Sequence, residues 1–161
     1  MSFEAARAQL ERCGLADRIL EFEPGATATV ALAAQRIGCR PEHIAKSVAL
    51  LLPEGPIVIV TAGDARIDNK KFKAQFHAKP KMIGGDAVES LVGHAPGGVS
   101  PFGVNPGVKV WLDESLRRFQ TVYPACGTAS TGVRLSIAEL ERAADPAGWV
   151  DVAKLPEIDP A

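Results

Sequence analysis

The stretch Gly93–Gly103, GHAPGGVSPFG, holds four glycines and two prolines in eleven residues. Such a run continues neither a helix nor a regular strand. Adjacent glycines such as Gly97 and Gly98 let consecutive backbone N–H groups converge on one carbonyl or anionic oxygen, with no side chain in the way. Pro96 and Pro101 stiffen that arrangement, and preorganised donors are what stabilise developing negative charge. A tight connection from Gly93 to a strand near Val108 accounts for the same composition, and the residues alone leave both readings open.

Familiar catalytic patterns fail here on specific atoms. A nucleophile elbow needs Gly-x-Ser-x-Gly, but Phe102 stands where the second glycine belongs. The elbow also takes an oxyanion donor from the amide after the serine, and Pro101 has none. Val99 stands where a P-loop needs lysine, and no Gly-x-Gly-x-x-Gly occurs anywhere. His43, His77 and His94 show no metal-ligand spacing. Cys13, Cys39 and Cys126 are odd in number and far apart, which suits three reduced thiols and neither a disulfide framework nor a zinc site. The sequence thus calls for no metal and no organic cofactor.

A chain of 161 residues, 47% hydrophobic and 23% charged, is expected to form one domain over residues 1–161. The N-terminus lacks a signal-peptide pattern and the longest apolar run, VALLLP, is too short to span a bilayer, so a cytoplasmic protein without membrane contact is expected. A net charge of −1 gives no bulk attraction to nucleic acid, DNA included. A local exception exists. Arg66, Lys70, Lys71, Lys73, Lys79 and Lys81 face a single acid, Asp68, in sixteen residues. That suits a phosphate-backbone footprint or an ordinary solvated face.

The elements that must hold the loop follow from periodicity and caps. SFEAARAQLERCG reads as an amphipathic helix with Phe3, Ala6, Leu10 and Cys13 inward, stopped by Gly14. ATATVALAAQRIG reads as a helix capped by Thr27 or Thr29 and ended by Gly38. Pro41 opens a short helical turn before two adjacent strands, IAKSVALLL and PIVIVTA. A basic helix follows with Asp68 as N-cap. KMI reads as a short strand, and DAVESLVG as a helix capped by Asp86 and closed by Gly93. VKVWLD and TVYPAC are expected strands around a helical turn, and SIAELERAA a helix with a Ser136–Glu139 capping box. WVDVA is expected as a last strand, and the LPEIDPA tail should fray. The order is mixed α/β without the strict alternation of a doubly wound sheet.

Taken together, IAKSVALLL, GDARIDNKKFKAQF, GHAPGGVSPFG and ACGTASTGVRLSIAEL resemble the YbaK/ProX family, free-standing relatives of the editing domain of bacterial prolyl-tRNA synthetase. The likeness runs from about Ala26 to Leu140. It implies an α+β fold with a mixed, partly barrel-like sheet surrounded by helices. It also implies hydrolysis of the ester joining a wrong amino acid to transfer RNA. Lys46 then falls at the family's active-site lysine, and Gly97, Gly98, Val99 and Ser100 in its catalytic loop. Thr29, Phe102, Gly103, Gly127 and Thr128 are the expected substrate walls. Lys70, Lys71, Lys73, Lys79 and Lys81 are the expected transfer-RNA contacts, with a synthetase as a further partner.

Thr29 and the run Thr128–Gly132 differ from the cysteine-specific members, and their small hydroxylated walls suit alanyl, seryl or threonyl esters as well as cysteinyl ones, so the substrate implied is a small amino acid such as Ala, Ser, Thr or Cys. A non-catalytic module that binds transfer RNA or a synthetase is the alternative. An esterase for unrelated small molecules conflicts with the missing nucleophile and base.

Overall fold

The computed structural model describes residues 2–156. In chain order it contains helix α1 (Ser2–Arg12), strand β1 (Ile19–Glu21), α2 (Val30–Ile37), β2 (Ile44–Leu52), β3 (Gly55–Ala62), β4 (Arg66–Ile67), α3 (Asn69–Phe76), α4 (Val88–Val92) and β5 (Lys109–Asp113). It continues with β6 (Thr121–Pro124), β7 (Thr131–Val133), β8 (Leu135–Ser136), α5 (Ile137–Ala144), β9 (Gly148–Val150) and β10 (Ala153–Lys154). Short 3₁₀ turns precede β1, β2 and β6.

Six strands form a curled, half-barrel mixed sheet in the order β8-β6-β2-β3-β5-β9. Its centre is the antiparallel β2–β3 hairpin, with β6 parallel to β2 and β5 parallel to β3. Strand alternation divides the core. Ala45, Ala49, Val58, Val60 and Ala62 face α1 and α5. Val48, Leu50, Leu52, Ile57 and Ile59 face Phe72 of α3. Two small antiparallel ribbons, β1–β7 and β4–β10, flank the sheet.

Local chemistry sets the helix ends. Thr29, not Thr27, caps α2 by accepting the Leu32 amide, and Gly38 ends it at φ 88°. Asp68 caps α3, and the Ser136–Glu139 box opens α5. Ala6 and Leu10 of α1 are fully buried, as its periodicity requires.

Three expectations need correction. KMI makes a single bridge, Leu50 to Met82, because the prolines and glycines around it leave no room for a longer ladder. Asp86 does not cap α4. Ala87 is the N-cap, and Gly84 accepts both the Ala87 and Val88 amides in a tight turn. WVDVA breaks between β9 and β10 because the buried Asp113 carboxylate accepts the Val152 amide at 2.8 Å. Leu155 and Pro156 lie outside any strand or helix, and the rest of the tail lies outside the described residues. The ribbon strands β1, β4 and β7, of two or three residues each, carry too little sequence for alternation to register.

Candidate active site

The sheet has a gap. β6 pairs with β2 only at Ile44 and Ala45, and residues 81–83 cover the same edge only from Ala49 to Leu51. Between them Lys46, Ser47 and Val48 have no strand neighbour on that side. A cleft of about 160 Å³ opens there. It is walled by Thr27–Val30 at the start of α2, Lys46 and Ser47, Gly97 and Val99, Tyr123–Ala125, and Thr131 with Gly132. Residues from Thr27 to Gly132, far apart in the chain, thus meet at one unpaired edge.

Lys46 is half-buried and its Nζ donates to the Ala65 carbonyl at 2.6 Å. That carbonyl belongs to a tight turn in which the Ala65 amide donates to Ala62. Gly63 lets the turn pass against the 3₁₀ turn that precedes β2, since a Cβ there would lie 2.1 Å from the Pro41 oxygen. Burial first, and the Arg66 guanidinium second, push the Lys46 ammonium below the ordinary lysine range, with Asp64 opposing. Beside it the Ser47 hydroxyl is buried without a hydrogen-bond partner.

The glycine loop divides its labour. The Gly98 amide donates to Ala95 at 3.0 Å, so it is not a free donor, contrary to expectation. Among the described residues the Gly97 and Val99 amides have no acceptor, and both residues line the cleft. Gly97 sits at φ +82°, a conformation that glycine adopts readily. Gly98 instead packs on the backbone of Thr128, where a Cβ would lie 2.6 Å from its Cα.

Several expected site residues brace the loop rather than line the cleft. Ser100 is fully buried, and its Oγ accepts the Phe102 amide at 3.2 Å. Phe102 is fully buried in the core beneath the loop. Its carbonyl accepts a hydrogen bond from His94 Nε2 at 2.8 Å, and burial pushes the His94 pKa down, with that hydrogen bond opposing. Gly103 and Gly127 pack against the backbone of α1, at Ala5–Ala6 and Ser2 respectively. Thr128 turns its hydroxyl toward Ser130 and Thr131. Thr29 alone of the expected walls lines the cleft, while also capping α2. The Cys126 thiol is buried and its pKa pushed up to about 12, so it supplies no thiolate at neutral pH.

Of the basic residues, Lys70, Lys73 and Lys79 surround one surface depression, and Lys81 is exposed nearby in sequence. Lys71 is tied instead to Asp151 at 3.1 Å and to the Ala153 carbonyl at 3.0 Å. Sequence reading missed Ser47, Tyr123, Thr131 and the Ala65 carbonyl. A backbone carbonyl leaves no sequence signal, and Thr131 was visible only as part of the hydroxyl-rich run after Cys126.

A half-barrel whose edge gap joins a lysine to free loop amides defines a class, and comparison supplies its family. The chain belongs to the aminoacyl-tRNA editing domain family, whose model matches residues 24–143. It is 41% identical over 156 residues to the uncharacterised protein YwhH of Bacillus subtilis (strain 168), a match covering 96% of this chain and 98% of that protein. The fold superposes on a crystal structure described as a candidate trans-editing enzyme for prolyl tRNA synthetase, with TM-score 0.83 and 27% identity over 95% of this chain and 97% of the other. The hypothetical protein APE2540 is similar too, with TM-score 0.82 and 26% identity over 93% and 99% of the two chains. The YbaK/ProX resemblance therefore holds in both sequence family and fold. No helix among the described residues is long and apolar enough to cross a membrane.

Proposed function

We propose that the cleft hydrolyses the ester of a mischarged aminoacyl-tRNA bearing a small amino acid, acting in trans on the charged acceptor end. The observation that carries this reading is that Lys46 lines one small cleft with Gly97 and Val99, whose amides have no acceptor among the described residues. Water adds to the ester carbonyl carbon, the bond to the ribose oxygen breaks, and that oxygen takes up a proton. The products are the free amino acid and uncharged transfer RNA. The two amides hold the oxygen that becomes negative, and Lys46 orients the terminal nucleotide or adds positive potential.

No protein nucleophile is required, because the ester is activated and the neighbouring ribose hydroxyl or the substrate's own side chain can assist the water. A buried hydroxyl left unpaired is unfavourable by roughly 1–3 kcal/mol, so the Ser47 Oγ is suited to pair with the substrate's amino or side-chain group. Thr29, Ala33 and Ile37 wall the cleft, which rejects larger side chains by clash. Lys70, Lys73, Lys79 and Lys81 provide an outer basic surface for the acceptor stem.

The test is deacylation of transfer RNAs loaded with alanine, serine, threonine, cysteine or proline. One small aminoacyl ester should be cleaved, and Lys46→Ala should slow that cleavage at least 100-fold. Binding of transfer RNA with every ester left intact would refute hydrolysis and leave a binding module.

A further inference from the structure

In the β4–β10 ribbon Lys154 is the direct partner of Arg66, and both side chains are exposed. Directly opposed residues of an antiparallel pair have Cβ atoms only about 4.5–5.5 Å apart, and like charges there are destabilising. The surroundings relieve the pair only in part. Asp64 is held by both terminal nitrogens of Arg118, at 2.6 and 3.2 Å. Asp151 is held by Lys71. Asp68 lies close enough to feel Lys154, but its Oδ1 accepts the Lys71 amide as the α3 cap. Among the described residues neither Arg66 nor Lys154 forms an ion pair, and the acids described around them, Asp64, Asp68 and Asp151, are engaged elsewhere.

Position gives this pair a purpose. Arg66 directly follows Ala65, the residue whose carbonyl holds Lys46, and its charge is felt at the Lys46 ammonium. On its other side the chain runs two residues to α3, which carries Lys70 and Lys73. The pair therefore links the cleft to the outer basic depression.

We propose that Arg66 and Lys154 together form a phosphate site for the RNA strand that enters the cleft, gripping the backbone phosphate next to the terminal nucleoside. This inference rests on the editing reading for its direction of approach. Two opposed cations without an acid partner suit a bridging oxyanion, because a phosphodiester offers one charge to both and removes their mutual repulsion. Arg supplies a planar fork and Lys a mobile point charge.

The test uses the full chain and the double variant Arg66→Gln/Lys154→Gln, with Lys109→Gln as a remote control. Binding of uncharged transfer RNA is measured between 50 and 200 mM salt. Removing one or two phosphate contacts should flatten the plot of log affinity against log salt by about 0.7–1.4, since each single-strand contact contributes about 0.7. Lys109→Gln should leave the slope unchanged. The double variant should unfold at the same or a higher urea concentration than the parent, because a repulsive pair is relieved.

A second readout separates phosphate binding from an effect on chemistry. The variant should lose at least tenfold in kcat/KM on aminoacyl-tRNA, mainly through KM, and match the parent on an aminoacyl-adenosine that has no phosphate. An unchanged salt slope, equal losses on both substrates, or a lower urea midpoint would each overturn the proposal. If the parent cleaved no ester while the slope still fell in the variant, the phosphate site would stand and the editing reading would fall.

Discussion

Gly98→Ala isolates the contact that holds the loop in place. A Cβ at residue 98 would lie 2.6 Å from the Thr128 Cα, 2.7 Å from its nitrogen and 2.8 Å from its carbonyl carbon. All three are backbone atoms, so no rotamer change relieves the clash. Ordinary contact starts at 3.4 Å, and the two segments must therefore separate by about 0.8 Å. Overpacking of this kind destabilises by about 1–3 kcal/mol. It also moves the neighbouring Gly97 and Val99 amides, and a misplacement near 1 Å can lower turnover about 100-fold. The expected outcome is a fall of about 1–3 kcal/mol in urea unfolding and a 10- to 100-fold fall in kcat for deacylation. Gly107→Ala is the control. Its φ is +89° but nothing lies within 4 Å, so it should destabilise by roughly 1–2 kcal/mol of backbone strain and leave kcat unchanged. A Gly98→Ala protein that matched the parent in both stability and kcat would refute the claim that Thr128 sets the position of the amides.

Three other perturbations follow from the same geometry. Lys46→Met should abolish deacylation, yet leave stability equal to or above the parent's in urea, because a half-buried ammonium is replaced by an apolar chain. With its pKa held below the ordinary 10.5, Lys46 loses its charge earlier as pH rises, so the parent's kcat should show an alkaline limb below that value. His94 has a pKa lowered by burial from the usual 6.5. The unfolded chain therefore binds the extra proton first, and stability should fall as pH drops below about 6.5, more steeply in the parent than in His94→Leu when urea midpoints are compared at several pH values. Gln9→Leu removes the acceptor of the Gly103 amide at 2.7 Å and the donor to Ala143 at 2.7 Å. It should destabilise by about 1–3 kcal/mol and lower kcat, and unchanged urea unfolding would show that Gln9 does not brace the loop.

The parts of the fold legible in sequence are those whose signal is local. The β2–β3 hairpin shows in two long β-branched and aliphatic runs, and α2, α3 and α5 in their capping residues. The ribbons β1–β7 and β4–β10 are too short to show any period and form because distant segments meet. The same limit applied to the site. The Gly97–Gly98 loop is legible in composition and Lys46 only through family resemblance, whereas Tyr123 of β6 and Thr131 of β7 line the cleft through tertiary placement. Gly103 and Gly127 are expected substrate walls only by the position the family resemblance gives them, and glycine marks close backbone approach whatever approaches. Here α1 approaches, not a ligand. Phe102 gave a similar false signal, an aromatic residue in a catalytic loop that is turned into the core.

These misplaced residues explain how a site made of main chain can be rigid. A glycine-rich segment has no side chains with which to lock itself and loses the most conformational entropy on ordering. Its order must come from outside. Gly98 on Thr128, Gly103 on α1 and Gly127 on Ser2 each bring backbone against backbone at distances that exclude a Cβ. His94, Ser100 and Gln9 then bond the loop's own amides and carbonyls. The Gly97 and Val99 amides have no acceptor among the described residues, and both residues line the cleft together with Lys46. Preorganisation here is therefore a property of what surrounds the loop. Function should be as sensitive to the seat of α1 as to the cleft itself, although α1 contributes no residue to the cleft wall.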